Sequence, residues 1–124
     1  MQFISRNTLE NYSKMNNAFL LDPDLTPQAK GTLAIILTNK DDWRIYPKEI
    51  ANRSKSSEGA TISYFKELEK AGYMRVIKKG LGRGKGIQAY RYVSDVKIND
   101  KYFLEYIMPK FEKWFQENEL STDN

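Results

Sequence analysis

A short basic stretch, KKGLGRGKG, runs from Lys78 to Gly86 and contains four cations, four glycines and no acid. Lysine and arginine side chains bind phosphate groups through charge-assisted hydrogen bonds. Glycine costs a helix about 1 kcal/mol relative to alanine and admits positive φ, so the stretch is predicted to be a loop. Its GK pair is followed by glycine, where a nucleotide-binding P-loop has Ser or Thr. The stretch therefore predicts a surface loop that contacts a polyanion.

Positive charge is concentrated in one part of the chain. Residues 53–91 hold ten Lys and Arg against three acids, a local net charge of +7. Because the whole chain carries +4, the remaining residues carry −3. Such an asymmetry favours one face that binds a polyanion and another that does not.

The composition narrows the classes of function. The chain contains no histidine and no cysteine, which excludes Ser–His and Cys–His catalysis, disulfides and the usual zinc sites. We therefore expect a non-enzymatic protein with no cofactor, no metal and no small-molecule substrate. The paired acids Asp41–Asp42 and Asp22–Asp24 are interpreted as turn residues. No apolar run approaches the roughly 18 residues of a membrane span and no secretory signal is visible, so we expect a cytoplasmic protein that makes no membrane contact.

Local signals predict three helices. Thr26 before Pro27 is typical of a helix start, and the first helix is predicted over 27–38. Pro47 is predicted to open a second, short helix. A third helix is predicted over 58–71, because serines precede it and a glycine follows it.

Two β-rich runs, YMRVIK and IQAYRYV, flank the basic stretch and predict a hairpin. WRIY at 43–46 is predicted to add a short strand. The order of elements is that of a winged helix-turn-helix: a three-helix core, a small antiparallel sheet and a basic wing. The predicted fold class is therefore α+β, with a DNA-binding domain over residues 1–95 and a C-terminal helical extension over 96–124.

The third helix is the predicted recognition helix. Ile62, Phe65 and Leu68 share one side at helical spacing and are predicted to be buried. The opposite side carries small or hydroxylated residues, which allow a helix to enter the major groove of DNA. The predicted contacts at this helix end are Ser56, Ser57, Gly59, Ala60, Ser63 and Tyr64. Glu67 lies on the same side and would repel phosphate, so we expect only the first two turns to enter the groove.

Basic residues in and around the hairpin are predicted to contact phosphates, which fix the register and carry little sequence information. They are Arg53, Lys55, Lys78, Lys79, Arg83, Lys85 and Arg91. If about six cations meet phosphates, the logarithm of the affinity falls with the logarithm of the salt concentration at a slope near −5. The predicted partner is double-stranded DNA.

Aromatic residues are concentrated in the predicted C-terminal helix, where Pro109 removes a backbone donor and is expected to kink or split the helix. The rings assigned to an oligomer or partner contact are Phe103, Tyr106, Phe111, Trp114 and Phe115. Two roles remain open for them, a lid on the same domain or a dimer or partner interface. The interface is favoured because Tyr and Trp are enriched in interfaces, and we expect a homodimer.

Four segments carry a resemblance to a known family: LTPQAKGTLAIIL (Leu25–Leu37), DDW (Asp41–Trp43), EIA (Glu49–Ala51) and KELEKAGYM (Lys66–Met74). Over roughly residues 12–93 the chain resembles the winged-helix domain of replication initiator and replisome-organiser proteins of Gram-positive phages and plasmids. The resemblance implies DNA binding in plasmid or phage replication or transfer, or in transcriptional regulation, with Tyr64 at a contact position. The alternative is a protein-interaction winged helix that engages a host or replisome protein.

Overall fold

The computed structural model describes residues 2–40 and 43–120. The elements that position the candidate site are, in chain order, α1 (Pro27–Ile36), α2 (Pro47–Ala51), α3 (Glu58–Ala71), β1 (Met74–Gly80) and β2 (Ile87–Val93). The chain is α+β, with helices and a two-stranded antiparallel sheet. The predicted turn at Asp41–Asp42 and the end of the predicted extension at 121–124 lie outside the described residues.

Helix α1 begins as predicted. Thr26 is its N-cap, with Oγ1 accepting a hydrogen bond from the Ala29 amide at 3.2 Å, and proline occupies the first turn. The helix ends at Ile36, two residues before the predicted end at 38. The Thr38 amide and hydroxyl both donate to the Ile35 carbonyl, at 3.2 and 2.7 Å, which tightens the last turn. Such i→i−3 bonds commonly replace the α-helical pattern at a helix end.

Helix α3 spans the predicted residues. Ser57 Oγ accepts from the Ala60 amide at 3.1 Å and caps the N-terminus. Gly72 follows the helix with φ +97°, a left-handed conformation in which a Cβ would be strained. The Tyr73 amide donates to the Leu68 carbonyl at 2.9 Å, so the helix ends in a closed C-terminal turn.

The predicted strand at 43–46 is wrong as a regular strand. This segment instead runs along β2, where the Arg91 amide donates to the Trp43 carbonyl at 2.8 Å. Pro47, directly after it, has no amide proton to continue a ladder. The sheet among the described residues therefore has two strands, paired from Met74 opposite Val93 to Gly80 opposite Ile87.

The two faces of the hairpin contact different parts of the chain, because side chains alternate along a strand. Met74 faces the helices α1 to α3 and lies in a first hydrophobic cluster with Phe65 and Leu68. Ile77 and Tyr90, which pair across the strands, face the other way and lie in a second cluster with C-terminal rings. Each face of the sheet is thus partly covered, while Lys78 on the α3 side and the loop end stay exposed.

The second cluster is completed by a helical C-terminal extension. Its parts are α4 (Asp100–Tyr102), a π-helical turn (Phe103–Ile107), α5 (Met108–Phe115) and a final π-helical stretch (Gln116–Leu120). The predicted split near Pro109 takes the form of this π-helical turn, which ends just before the proline. There the Met108 amide donates to the Phe103 carbonyl, five residues back. Within the described residues, no helix has both the length and the apolar character needed to cross a membrane.

Candidate nucleic-acid interface

Helix α3 and the hairpin border one open groove of about 700 Å³. Helix α3 contributes Ile62, Phe65 and Lys66 to its wall, and the hairpin contributes Val76 and Lys78. The predicted recognition helix and the predicted basic hairpin therefore share a surface. Two acids, Glu58 and Glu69, also line this groove, so its floor is not uniformly positive.

The buried side of α3 differs from the prediction by one position. Thr61, Phe65 and Leu68 are the buried residues of this helix, whereas Ile62 is 38% exposed. The Thr61 hydroxyl donates to the Ser57 carbonyl at 2.9 Å, so this polar group is satisfied inside the protein. The prediction that Ile62 is a core residue is wrong.

The shift of the buried stripe turns the solvent-facing side of α3 toward the groove. Gly59 and Ser63 are exposed as predicted, while Ala60 and Tyr64 are half-buried on the side nearer α1. Ser56 is exposed, and Ser57 is the N-cap. The exposed stripe at i, i+4, i+7 and i+11 consists of Gly59, Ser63, Lys66 and Lys70. The prediction did not include Lys66 and Lys70 as contact residues. They would have been found if Thr61 had been recognised as buried, because they lie on the side of the helix opposite Thr61 and Leu68.

Glu67 does not face the solvent-exposed side of α3. Its Oε2 accepts a hydrogen bond from the Thr26 hydroxyl at 2.7 Å, at the N-terminus of α1. The same hydroxyl oxygen caps α1 through the Ala29 amide. The carboxylate is thus held beside the N-terminus of α1 and keeps its negative charge, so the expected repulsion of phosphate stays a prediction.

The lysines at 78 and 79 lie on opposite faces of the hairpin. Lys78 is exposed on the groove side. Lys79 binds Glu112 of the extension, with Nζ 2.6 Å from Oε1, and lies 5.6 Å from the centre of the Phe115 ring. Lys79 is thus engaged within the chain, because the strand alternation directs it toward the second cluster, and its predicted phosphate contact stays a prediction that this geometry does not favour.

Arg91 is a half-buried residue at the base of the groove. One Nη donates to the Ile45 carbonyl at 2.6 Å, and the guanidinium lies 5.4 Å from the centre of the Phe65 ring. Burial lowers the pKa of Arg91 from its ordinary value. These contacts tie residues 43–46 to the sheet. Arg91 thus has a structural role, and its predicted phosphate contact stays a prediction that these internal contacts do not favour.

Arg53 and Lys55, the predicted phosphate contacts between α2 and α3, differ in whether their side chains are bound by other residues of the chain. Arg53 donates from Nε to Glu49 Oε1 at 2.9 Å and from Nη1 to Asn39 Oδ1 at 2.5 Å. Its charge is largely compensated where it stands. Lys55 is exposed and forms no ion pair with any residue in the described ranges. Of the two, Lys55 is better placed to meet a phosphate.

The basic loop, residues 81–86, forms the tip of the hairpin as predicted. Three of its glycines have positive φ, +109° at Gly82, +77° at Gly84 and +75° at Gly86. The Leu81 amide donates to the Gly86 carbonyl at 3.0 Å and closes the loop. Arg83 and Lys85 between the glycines are exposed. A side chain at any of the three glycines would strain this conformation, so the glycines set the path that presents the two cations.

The C-terminal rings are for the most part inside the chain's own structure. Phe103, Phe111 and Phe115 are buried, whereas Trp114 is half-buried and Tyr106 is exposed. Phe111 lies 5.3 Å from Tyr90, measured between ring centres. Burial raises the pKa of Tyr90 to about 12. Two roles were left open for the rings, a lid on the same domain or an interface. The three buried phenylalanines pack as a lid within the chain and are not available to a partner.

A scan against models of protein families and a search of curated proteins find no match for the chain. Nor do the described residues include a group of three or more His, Cys, Asp or Glu arranged to hold a metal ion.

Proposed function

We propose that the chain is a winged helix-turn-helix protein that binds double-stranded DNA. Helices α2 and α3 form the helix-turn-helix, and the hairpin is the wing. The protein acts in the replication or transfer of a plasmid or phage, or as a transcriptional regulator of such an element, in the cytoplasm. The observation that carries the proposal is the shared groove, with Lys66 on the helix wall and Lys78 on the hairpin wall.

The shape of α3 supports insertion into the major groove. A groove about 12 Å wide admits an α-helix when the side chains on the leading face are short. Gly59 and Ser63 form that face near the N-terminus, and a Cβ added at Gly59 would meet no atom within 4 Å. The Ser63 hydroxyl is free of the capping role that occupies Ser57 and offers a polar group to base edges. The helix therefore approaches the bases with little steric cost.

The charges support backbone contacts on both sides of the inserted helix. The exposed cations of this surface are Lys55, Lys66, Lys70, Lys78, Arg83 and Lys85. Replacing the predicted Lys79 and Arg91 by Lys66 and Lys70 leaves about six phosphate contacts, so the expected salt slope stays near −5. Most of the binding free energy is then electrostatic and independent of sequence.

A titration of a fluorescein-labelled duplex tests this proposal. The dissociation constant is measured by anisotropy at several salt concentrations between about 50 and 200 mM, and the slope of log affinity against log salt is expected near −5. Absence of duplex binding at the lowest salt contradicts the proposal. So does a slope shallower than about −1, because a single phosphate contact is too few for this surface.

We also propose that the exposed part of the extension mediates self-association as a homodimer. Tyr102, Leu104 and Tyr106 are 44%, 64% and 58% exposed, respectively. The two tyrosine rings lie 5.4 Å apart between their centres and form one apolar surface. A solution mass of two chains that falls to one chain in Tyr106→Ala supports the proposal, and a monomeric wild-type mass contradicts it. If duplex binding also fails, this surface favours the alternative of a protein-interaction module.

A further inference from the structure

Ile62 is an apolar residue that the core of the protein does not use. The buried residues of α3 are Thr61, Phe65 and Leu68, and Ile62 remains 38% exposed beside them. It stands where the exposed stripe of α3 meets the groove, next to the charged Lys66. An isoleucine at this place leaves apolar surface in contact with water until another molecule covers it.

The surroundings leave the isoleucine accessible to a large partner. Gly59, one turn earlier, has no side chain, and its Cβ position is open for 4 Å. Ser63, the next residue, is exposed and short. The groove on the other side is about 700 Å³ and open. No bulky group therefore separates Ile62 from a surface that approaches along the helix face.

We propose that Ile62 reads thymine, by packing against the C5-methyl groups that line the major groove, and that the protein accordingly prefers A·T-rich duplexes. This inference rests on the proposed function. The thymine C5-methyl is the distinctive apolar group of the major groove; every base pair also presents hydrogen-bonding groups there, but G·C pairs lack this methyl. Ile62 offers no donor or acceptor, so the methyl contact is what offsets its desolvation of the base edges at an A·T pair and is missing at a G·C pair.

Charges of both signs flank Ile62. Lys66 lies one helical turn beyond it, and Lys78 lies on the facing wall of the groove. Glu58, one turn before Ile62, and Glu69 line the same groove. With α3 in the major groove, the two lysines reach toward the phosphate backbones, and Ile62 reaches toward the bases between them. Phosphate contacts hold the register of the protein on the duplex, and base contacts then discriminate. Covering one methyl group is expected to change affinity by about fourfold.

Removal of the methyl group alone provides the test. Two labelled 24-bp duplexes of one A·T-rich sequence are compared, one made with thymidine and the other with deoxyuridine, which pairs identically but lacks the C5-methyl. The wild-type protein is expected to bind the thymidine duplex about fourfold more tightly for each contacted methyl. Ile62→Ala is expected to bring the ratio close to one. Leu21→Ala, an exposed apolar truncation outside α3, the hairpin and the extension, is the matched control and should keep the wild-type ratio.

The outcomes separate this inference from the proposed function. Equal wild-type affinity for the two duplexes, together with a steep salt slope, overturns the role of Ile62 and leaves DNA binding in place. An unchanged thymidine preference in Ile62→Ala, with folding verified by circular dichroism, overturns it as well. Failure of the wild-type protein to bind either duplex at low salt overturns the proposed function itself. A preference that is present in the wild type and Leu21→Ala and lost in Ile62→Ala supports the inference.

Discussion

Lys78 and Lys79 are neighbours in the chain, yet β1 directs them to opposite faces of the hairpin. Lys78 lines the groove beside α3, and Lys79 binds Glu112 of the extension with Nζ 2.6 Å from Oε1. One residue is thus available to a ligand, and the other joins two parts of the same chain. The pair offers an internal control for any charge effect.

Lys78→Ala is expected to lower duplex affinity at all sequences and to reduce the salt slope by about one unit, because one phosphate contact is lost. Lys79→Ala removes the same charge from the sequence and is expected to leave the salt slope unchanged. Its partially exposed ion pair contributes about 0–1 kcal/mol, so only a small fall in melting temperature is expected. Equal effects of the two substitutions on the slope, measured by anisotropy, would refute the assignment of faces.

The basic loop is expected to act as a unit. Arg83→Ala combined with Lys85→Ala should weaken binding to specific and random duplexes alike and flatten the salt slope by about two units. Both side chains are exposed at the tip of the hairpin, so thermal stability should change only slightly. Arg53→Ala is an informative comparison, since its guanidinium is held by Glu49 and Asn39. A larger loss of affinity in Arg53→Ala than in the double variant would argue against a phosphate contact by the basic loop.

The sequence contained enough information to predict elements with local causes. Thr26 before Pro27 and Gly72 after α3 are signals that act within one turn, and both helix boundaries they specify were predicted correctly. Ile62 was assigned to the core because the prediction counted only apolar residues as buried. The buried position is occupied by Thr61, which was counted as polar. Thr61 can be buried because its hydroxyl donates a hydrogen bond to the Ser57 carbonyl, four residues back.

The errors in the candidate site have long-range causes. The side of the hairpin on which Lys79 lies depends on the strand register and on Glu112, which is 33 residues away in the sequence. Arg91 is bound to the Ile45 carbonyl on a distant segment. The charge pattern indicated which region of the chain is basic. Which cations remain accessible depends on tertiary contacts that residue spacing does not encode.

The extension is expected to contribute to stability through its buried rings. Phe111 is fully buried between Tyr90 and Trp43, so Phe111→Ala should lower the free energy of unfolding by about 3–5 kcal/mol. Leu104→Ala, on the exposed side, should change it by less than about 0.5 kcal/mol. Urea unfolding followed by tryptophan fluorescence measures both. Similar small losses in the two variants would contradict the docking of the extension on the sheet.

The buried pair of Tyr73 and Asp22 is expected to make stability depend on pH. The Tyr73 hydroxyl donates to Asp22 Oδ2 at 2.7 Å, and this bond and one from the Asp24 amide lower the pKa of Asp22 below its ordinary 3.8. The carboxylate therefore stabilises the fold above pH 3.8, and this contribution is lost as the pH falls through the lowered pKa. Asp22→Asn should lower the free energy of unfolding at pH 7, because the charge-assisted hydrogen bonds of the carboxylate are lost.

The pH dependence expected from the Tyr73–Asp22 pair is tested by comparing two carboxylate variants. The difference between wild type and Asp22→Asn, measured by urea unfolding, should shrink as the pH is lowered through the acid range. Asp100→Asn removes an exposed carboxylate bound to Arg75 and should show a much smaller difference at pH 7. At the alkaline end, burial and Asp22 raise the pKa of Tyr73 from 10 to about 12. The stability linked to the protonated phenol should therefore fall between these two pH values. A pH-independent difference for Asp22→Asn contradicts the account.

The central claim is that α3 and the basic loop meet the same duplex. A titration of ¹⁵N-labelled protein with a 24-bp duplex, followed by backbone amide shifts, tests it most directly. The account predicts that the amides of Gly59, Ser63 and Gly84 shift together at one stoichiometry, while that of Leu104 stays in place. Shifts confined to the extension, or to the loop without α3, would contradict it.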